Sequence, residues 1–186
     1  MKLVTDRLIL RDIEPSDAKS LIKNINNLNI SKWLLIVPYP YRKSDAEWYI
    51  NHCQEGYAKH PRESYNFSIQ LKDQEGIIGG LGIAHLDRKE KTGHIGYWVG
   101  EDYWRQGYVR EACNRLLDYG FNTLKLREVT IPVFEKNIPS ANMAQRLGGK
   151  YQGIPDKLHT CRATGKKHRE KVYIVTPTSW KRSLRR

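Results

Sequence analysis

The sequence predicts a single α+β domain, on three observations. Its 186 residues suit one ordinary domain, with room for a sizeable core and too little for two enzyme domains. Six β-rich runs and four segments of helical spacing follow one another without regular alternation, and three of the strands are consecutive in mid-chain. No internal repeat or low-complexity linker interrupts them, so the domain is expected to span 1–186.

Thr5 to Asp12 reads as the first strand, with Leu8 and Leu10 on one face. Glu14-Pro15-Ser16-Asp17 then offers a cap and an early proline, opening a helix through Leu21 and Ile25. Residues 26–42, with Pro38 and Pro40, read as irregular. Ser44 and Glu47 form a capping-box pattern ahead of a helix carrying Trp48, Tyr49 and Cys53. Strands follow at Tyr65 to Leu71, Ile77 to Leu86 and His94 to Val99, the first two joined by the Lys72–Gly76 turn. Val109, Ala112, Cys113, Leu116, Leu117, Phe121 and Leu124 keep helical spacing. Glu128 to Phe134 is β-rich, and Ser140 to Leu147 is a short helix stopped by Gly148-Gly149. A polar loop over about 154–170 precedes a last strand at Lys171 to Thr176, and a basic tail at 177–186 closes the chain.

Lys and Arg number 32 against 20 acids, a net charge of +12, with 39% hydrophobic residues and a mean hydropathy of -0.67. That composition predicts a globular chain with a wet surface and an anionic partner of unspecified kind. Residues 157–171 carry six Lys or Arg and residues 181–186 carry four. These runs read either as a solvated loop and a frayed tail or as an anion-binding patch. No apolar run is long enough for a transmembrane helix, and Met1 to Leu10 lacks a signal-peptide core. Cys53, Cys113 and Cys161 are odd in number and far apart, which supports neither a disulfide framework nor a metal site. A cytoplasmic location with no membrane partner is the expectation.

The stretch Tyr97 to Ala112 runs strand, glycine-bearing loop, helix start. That order gathers unpaired backbone N–H groups and a helix dipole at one point, a ready anion site. Arg105 and Arg110 add charge there, and Gly107 admits a close approach to the backbone. The loop carries neither a P-loop nor a Rossmann fingerprint.

Arg105-Gln106-Gly107-Tyr108-Val109 within this stretch resembles the acetyl-coenzyme A loop of the GNAT N-acetyltransferases. More narrowly it resembles the ribosomal-protein-alanine N-acetyltransferase-like branch. Thr5 to Arg11, Tyr39-Pro40-Tyr41 with Asp45-Ala46-Glu47, and Asn137 to Ser140 with Leu147-Gly148 resemble that branch in the same order, over roughly residues 3–153. Trp104, Arg105 and Val109 depart from the common pattern, and Val109 raises the question of crowding at the phosphate turn. The resemblance implies a GNAT-like domain whose mixed, mostly antiparallel twisted sheet is flanked by helices and splayed at the cofactor. It implies acetyl-CoA held by Tyr97, Trp98 and Val99 along the pantetheine arm. Arg105, Gln106, Gly107, Tyr108, Val109 and Arg110 would lie at the pyrophosphate, with Asn137 and Ser140 near the thioester. Homodimers are frequent among such relatives.

Acetyl transfer needs a neutral amine and a proton for the leaving thiolate. Neutralising a lysine amine at pH 7 costs about 4–5 kcal/mol, and an N-terminal α-amine only about 1 kcal/mol. Ala144 stands where many GNAT members place a tyrosine acid, which leaves Ser140 as the nearby hydroxyl. His94 stands where many relatives place a strand glutamate and is a candidate base at neutral pH. Glu63 and Glu101 are fallback bases. A site of this kind suits a protein N-terminal α-amine, a ribosomal protein among the candidates, with ribosome association through the basic patches. A small amine such as a drug or polyamine, or a non-catalytic acyl-CoA- or RNA-binding role, remains an alternative.

Overall fold

A computed structural model describes residues 1–185 of the chain. The first strand pairs with one that the sequence pattern does not reveal: β1 (Lys2–Val4) runs antiparallel to β2 (Leu8–Arg11). Three residues are too few to show alternation. The following segment forms α1 (Ala18–Ile25), a single turn α2 (Leu28–Ser31) and the long α3 (Lys43–Ala58). So residues 26–42 are not wholly irregular. Helix α3 begins one residue before Ser44, and the side chain that folds back is Asp45, which accepts from Arg42 N at 2.8 Å.

Strands β3 (Tyr65–Leu71), β4 (Gly79–Asp87) and β5 (Thr92–Val99) form an antiparallel meander. After it come α4 (Tyr108–Asp118), β6 (Glu128–Phe134) and α5 (Ile138–Arg146). The chain ends with β7 (Lys150–Gly153), a small hairpin of β8 (His159–Thr160) and β9 (Lys167–His168), β10 (Glu170–Val175) and α6 (Pro177–Ser183). The eight-stranded sheet has the order β1-β2-β3-β4-β5-β6-β10-β7. Among the described residues only β5 and β6 pair in parallel, because α4 carries the chain back across the sheet. This is the mixed, mostly antiparallel α+β sheet expected.

The main core lies on the sheet face under α4 and α5. Leu8, Leu10, Ile69, Ile83, Ile95 and Ile131 meet Leu116 and Leu117 there. A second cluster on the other face packs Leu21, Ile25, Ile50 and Cys53 of α1 and α3. The polar loop at 154–170 turns out to contain the β8–β9 hairpin, too short for a sequence signal. The tail is docked over its described part, as α6: Trp180 is 5% exposed, and its indole donates to Asn114 Oδ1 at 3.1 Å. Gly148 makes room for it, since a Cβ there would lie 2.5 Å from the Ser179 carbonyl oxygen. Arg186 lies outside the described residues.

Candidate functional site

Strands β5 and β6 part company early. Their parallel pairing covers only Thr92–His94 against Glu128–Thr130, although β5 continues to Val99 and β6 to Phe134. The sheet is therefore splayed beyond His94. Gly100 N donates to Ile78 O on the β4 side, so period-two alternation turns the backbone groups of Trp98 the same way. The backbones of Tyr97 and Val99 face the open edge. Trp98 does not join them; its ring packs with the α1–α3 cluster. The Val99 carbonyl is already taken by the Trp104 indole at 3.0 Å, which gives that aromatic residue a structural purpose.

At the end of the splay the chain turns into α4. Arg105 and Gly107 have φ of 60° and 83°, a left-handed pair whose strain at a non-glycine residue costs about 1 kcal/mol. No side chain caps α4, and Glu111 N is its first amide with a helical partner, Gly107 O at 3.0 Å. The earlier amides at the helix start point out of the turn without intrahelical acceptors. Val109 packs onto the core and does not crowd them. The Gln106 amide group is bonded to the Asp102 carbonyl at 2.9 Å, so the backbone of Gln106 is what this residue offers.

Three residues that sequence reasoning did not assign to the site brace this loop. Glu111 accepts from Thr5 Oγ1 at 2.6 Å, from Arg7 N at 2.9 Å and from Arg7 Nε at 2.7 Å. Arg7 also donates to Gln106 O at 3.0 Å and lies over the Tyr108 ring at 4.5 Å. Burial pushes the Glu111 carboxyl up, but its hydrogen bonds to Thr5 and Arg7 win and hold it below the usual range. The partners are about a hundred residues apart in the chain, so no local pattern announces them.

Across the splay, Asn137 caps α5 by accepting from Ser140 N at 3.3 Å. Ser140 Oγ lies 2.9 Å from the Tyr97 hydroxyl. His94 sits at the apex of the splay, three residues from Tyr97 and so on the opposite sheet face. Its half-buried ring lies 5.1 Å from that of His85. Burial first, then His85, pushes its pKa below the usual 6.5. Beside it Gly96 is exposed, with nothing within 4 Å of where a Cβ would stand, and its neighbour in register is Gly82. Glu101 is engaged by Asn27 and Asn29, and Glu63 by Lys59.

The β8–β9 hairpin is held between residues 31–35 and the end of β6. Cys161 Sγ sits 3.6 Å from the carbonyls of Ser31, Lys32 and Leu34, and Arg162 N donates to Leu35 O at 3.0 Å. The His168 ring stacks on Phe134, at the end of β6, with centroids 4.6 Å apart. A cavity of about 470 Å³ beside it is lined by Glu135, Lys136, Leu158, Lys166, Lys167, His168 and Arg169. Among the described residues, no His, Cys, Asp and Glu cluster suited to a metal occurs, and no helix is long and apolar enough to cross a membrane.

The model of the Acetyltransferase (GNAT) domain matches residues 7–150. An uncharacterised N-acetyltransferase of Bacillus licheniformis is 31% identical over 155 residues, which is 82% of this chain and 84% of that one. A ribosomal-protein-serine acetyltransferase of Escherichia coli is 30% identical over 100 residues, about half of each chain. Among solved structures, a Vibrio cholerae protein assigned as a ribosomal-protein-serine acetyltransferase superposes with a TM-score of 0.80 and 25% identity. It covers 95% of this chain and 98% of its own.

Proposed function

Since the chain belongs to the GNAT acetyltransferase family, we propose that it moves the acetyl group of acetyl-CoA onto the N-terminal α-amine of a protein. The observation that carries the donor half is the splay running into the uncapped start of α4. Its unpaired β5 edge and its open helix amides, next to a left-handed glycine, fit a long anionic thioester carrier. Tyr97 and Val99 line the pantetheine arm through their backbones. The backbone of residues 106–110, with Arg105 and Arg110, holds the pyrophosphate, and Asn137 shapes the turn that presents Ser140. Acetyl-CoA supplies the activated acyl group; the protein orients it, keeps an uncharged amine in reach and manages two protons.

His94 takes the amine's proton. Its lowered pKa keeps the imidazole neutral at pH 7, and it lies beside the bare floor at Gly96, where an extended chain end has room. A base this weak handles an α-amine, with about 1 kcal/mol to overcome, far better than a lysine. The E. coli and V. cholerae relatives named for ribosomal-protein serine acetylation support the same acceptor class. The exposed Lys166, Lys167 and Arg169 beside the hairpin favour an acidic acceptor and repel a polyamine. Calorimetry with acetyl-CoA, joined to thiol release over peptides and small amines, tests this. Binding with turnover on peptide N-termini is expected; turnover on small amines alone overturns the acceptor, and absence of binding overturns the donor.

A further inference from the structure

We propose that Tyr97 is a positioning residue for acetyl transfer, its hydroxyl holding Ser140 so that the serine O–H is aimed into the splay at the departing sulfur. This rests on the donor reading above. The tyrosine comes from β5 and the serine from the first turn of α5, so their contact joins the two walls of the opening. Tyr97 Oη lies 2.9 Å from Ser140 Oγ and 3.3 Å from the Ser140 carbonyl. Burial is the main cause that keeps the phenol neutral, well above its usual range. A neutral phenol has one proton to donate. Donated to Ser140 Oγ, it directs the serine's own proton elsewhere and polarises that O–H through a cooperative pair. Asn137 meanwhile fixes the serine backbone by accepting from Ser140 N. One turn further along α5, the fully buried Ala144 offers no hydroxyl in its place.

The step balances with water as the proton exchanger. The N–C bond forms and the C–S bond breaks; the sulfur takes the Ser140 proton. His94, on the opposite sheet face, takes the proton shed by the amine and gives it to solvent, and Ser140 Oγ recovers a proton from water in the open splay. Tyr97 keeps its proton throughout, which is why it positions and does not titrate.

The test compares the wild-type protein with Tyr97→Phe, Ser140→Ala and the double variant. Tyr97→Phe keeps the ring and so the packing. The expected result is a kcat about tenfold lower, with acetyl-CoA affinity by calorimetry and the Tm close to wild type. The ultraviolet absorbance of the thiolate of bound CoA should titrate at higher pH in both single variants, since each weakens a donor to the thiolate. Because the two residues act as one unit, the double variant should be no slower than Ser140→Ala. An unchanged kcat, losses that multiply, an unmoved thiol titration, or a loss seen only in Tm or affinity each overturns the proposal. Failure of the wild-type protein to bind acetyl-CoA is a different result, which sinks the donor reading and this inference with it.

Discussion

Two loop segments flank the splay, and they are built in opposite ways. In residues 100–107 Glu101 and Asp102 outnumber Arg105 and the backbone is strained, with left-handed residues at Arg105 and Gly107. That strain is held by a third segment, through Arg7 and Glu111. In residues 154–169 the charge is high and the backbone is relaxed, a short hairpin secured by main-chain bonds and the buried Cys161. Arg162, Lys166, Lys167 and Arg169 point to solvent. A ligand group of fixed shape calls for backbone donors locked in place, because their geometry decides the binding. A surface that meets varied acceptors needs charge on mobile side chains, because steering depends on sign more than on position.

The largest effect should fall on the residue between the two segments. His94→Gln should lower kcat about a hundredfold above neutral pH, measured as a pH–rate profile. The acid limb of the wild-type profile should lie below pH 6.5, since burial and His85 favour the neutral ring, and that limb should vanish in the variant. The same shift makes a stability claim. The unfolded chain binds the proton more readily, so His94 costs stability as pH falls below 6.5 and stops adding to the loss below its folded pKa. A profile with its acid limb intact in the variant would separate His94 from the chemistry.

Glu111→Ala comes next and tests whether the cofactor segment needs its brace. It removes the acceptor of the exposed Arg7 N and of the Thr5 hydroxyl, which keeps a longer bond to Leu8 O at 3.4 Å, at a cost of about 1 kcal/mol; half-exposed Arg7 adds little to that. Urea denaturation and acetyl-CoA calorimetry should both register it. The wild-type contribution is complete above pH 4.5 and is lost as pH drops through the lowered pKa of Glu111. If affinity holds while stability falls, the brace serves the fold and not the loop.

How much of this was legible in the sequence follows the same division. The loop at Gln106–Gly107, the long helix after it and the strands at 65–71 and 128–134 were readable, because local periodicity and turn chemistry fix them. The brace was not, because Arg7 and Glu111 meet only through the fold. Trp98 read as a pantetheine contact, since neither the strand's phase nor its open edge is visible until Gly100 is seen bonded to Ile78. The hairpin read as loop because its strands are two residues long, and α6 as tail because it is short and basic; Cys161 and Trp180 are the buried residues that dock them.

Two smaller effects sharpen the contrast. Gly107→Ala places a Cβ at a φ of 83°, costing about 1 kcal/mol of stability and lowering acetyl-CoA affinity, with the Arg7 guanidinium only 3.4 Å from the new atom. Reversal of charge at Lys166 and Lys167 should do the reverse. Both side chains are exposed and Lys167 is held in β9 by its backbone, so Tm should stay within about a degree or two of wild type. The KM for an acidic peptide should rise a few-fold at low salt, and the difference should fade as ionic strength shortens the Debye length to about 3 Å at 1 M. The KM for acetyl-CoA should not move, because on the proposed reading this charge meets the acceptor and not the donor. A rise in the acetyl-CoA KM, or a peptide effect indifferent to salt, would mean that the hairpin shapes the donor site and that the two segments share one task.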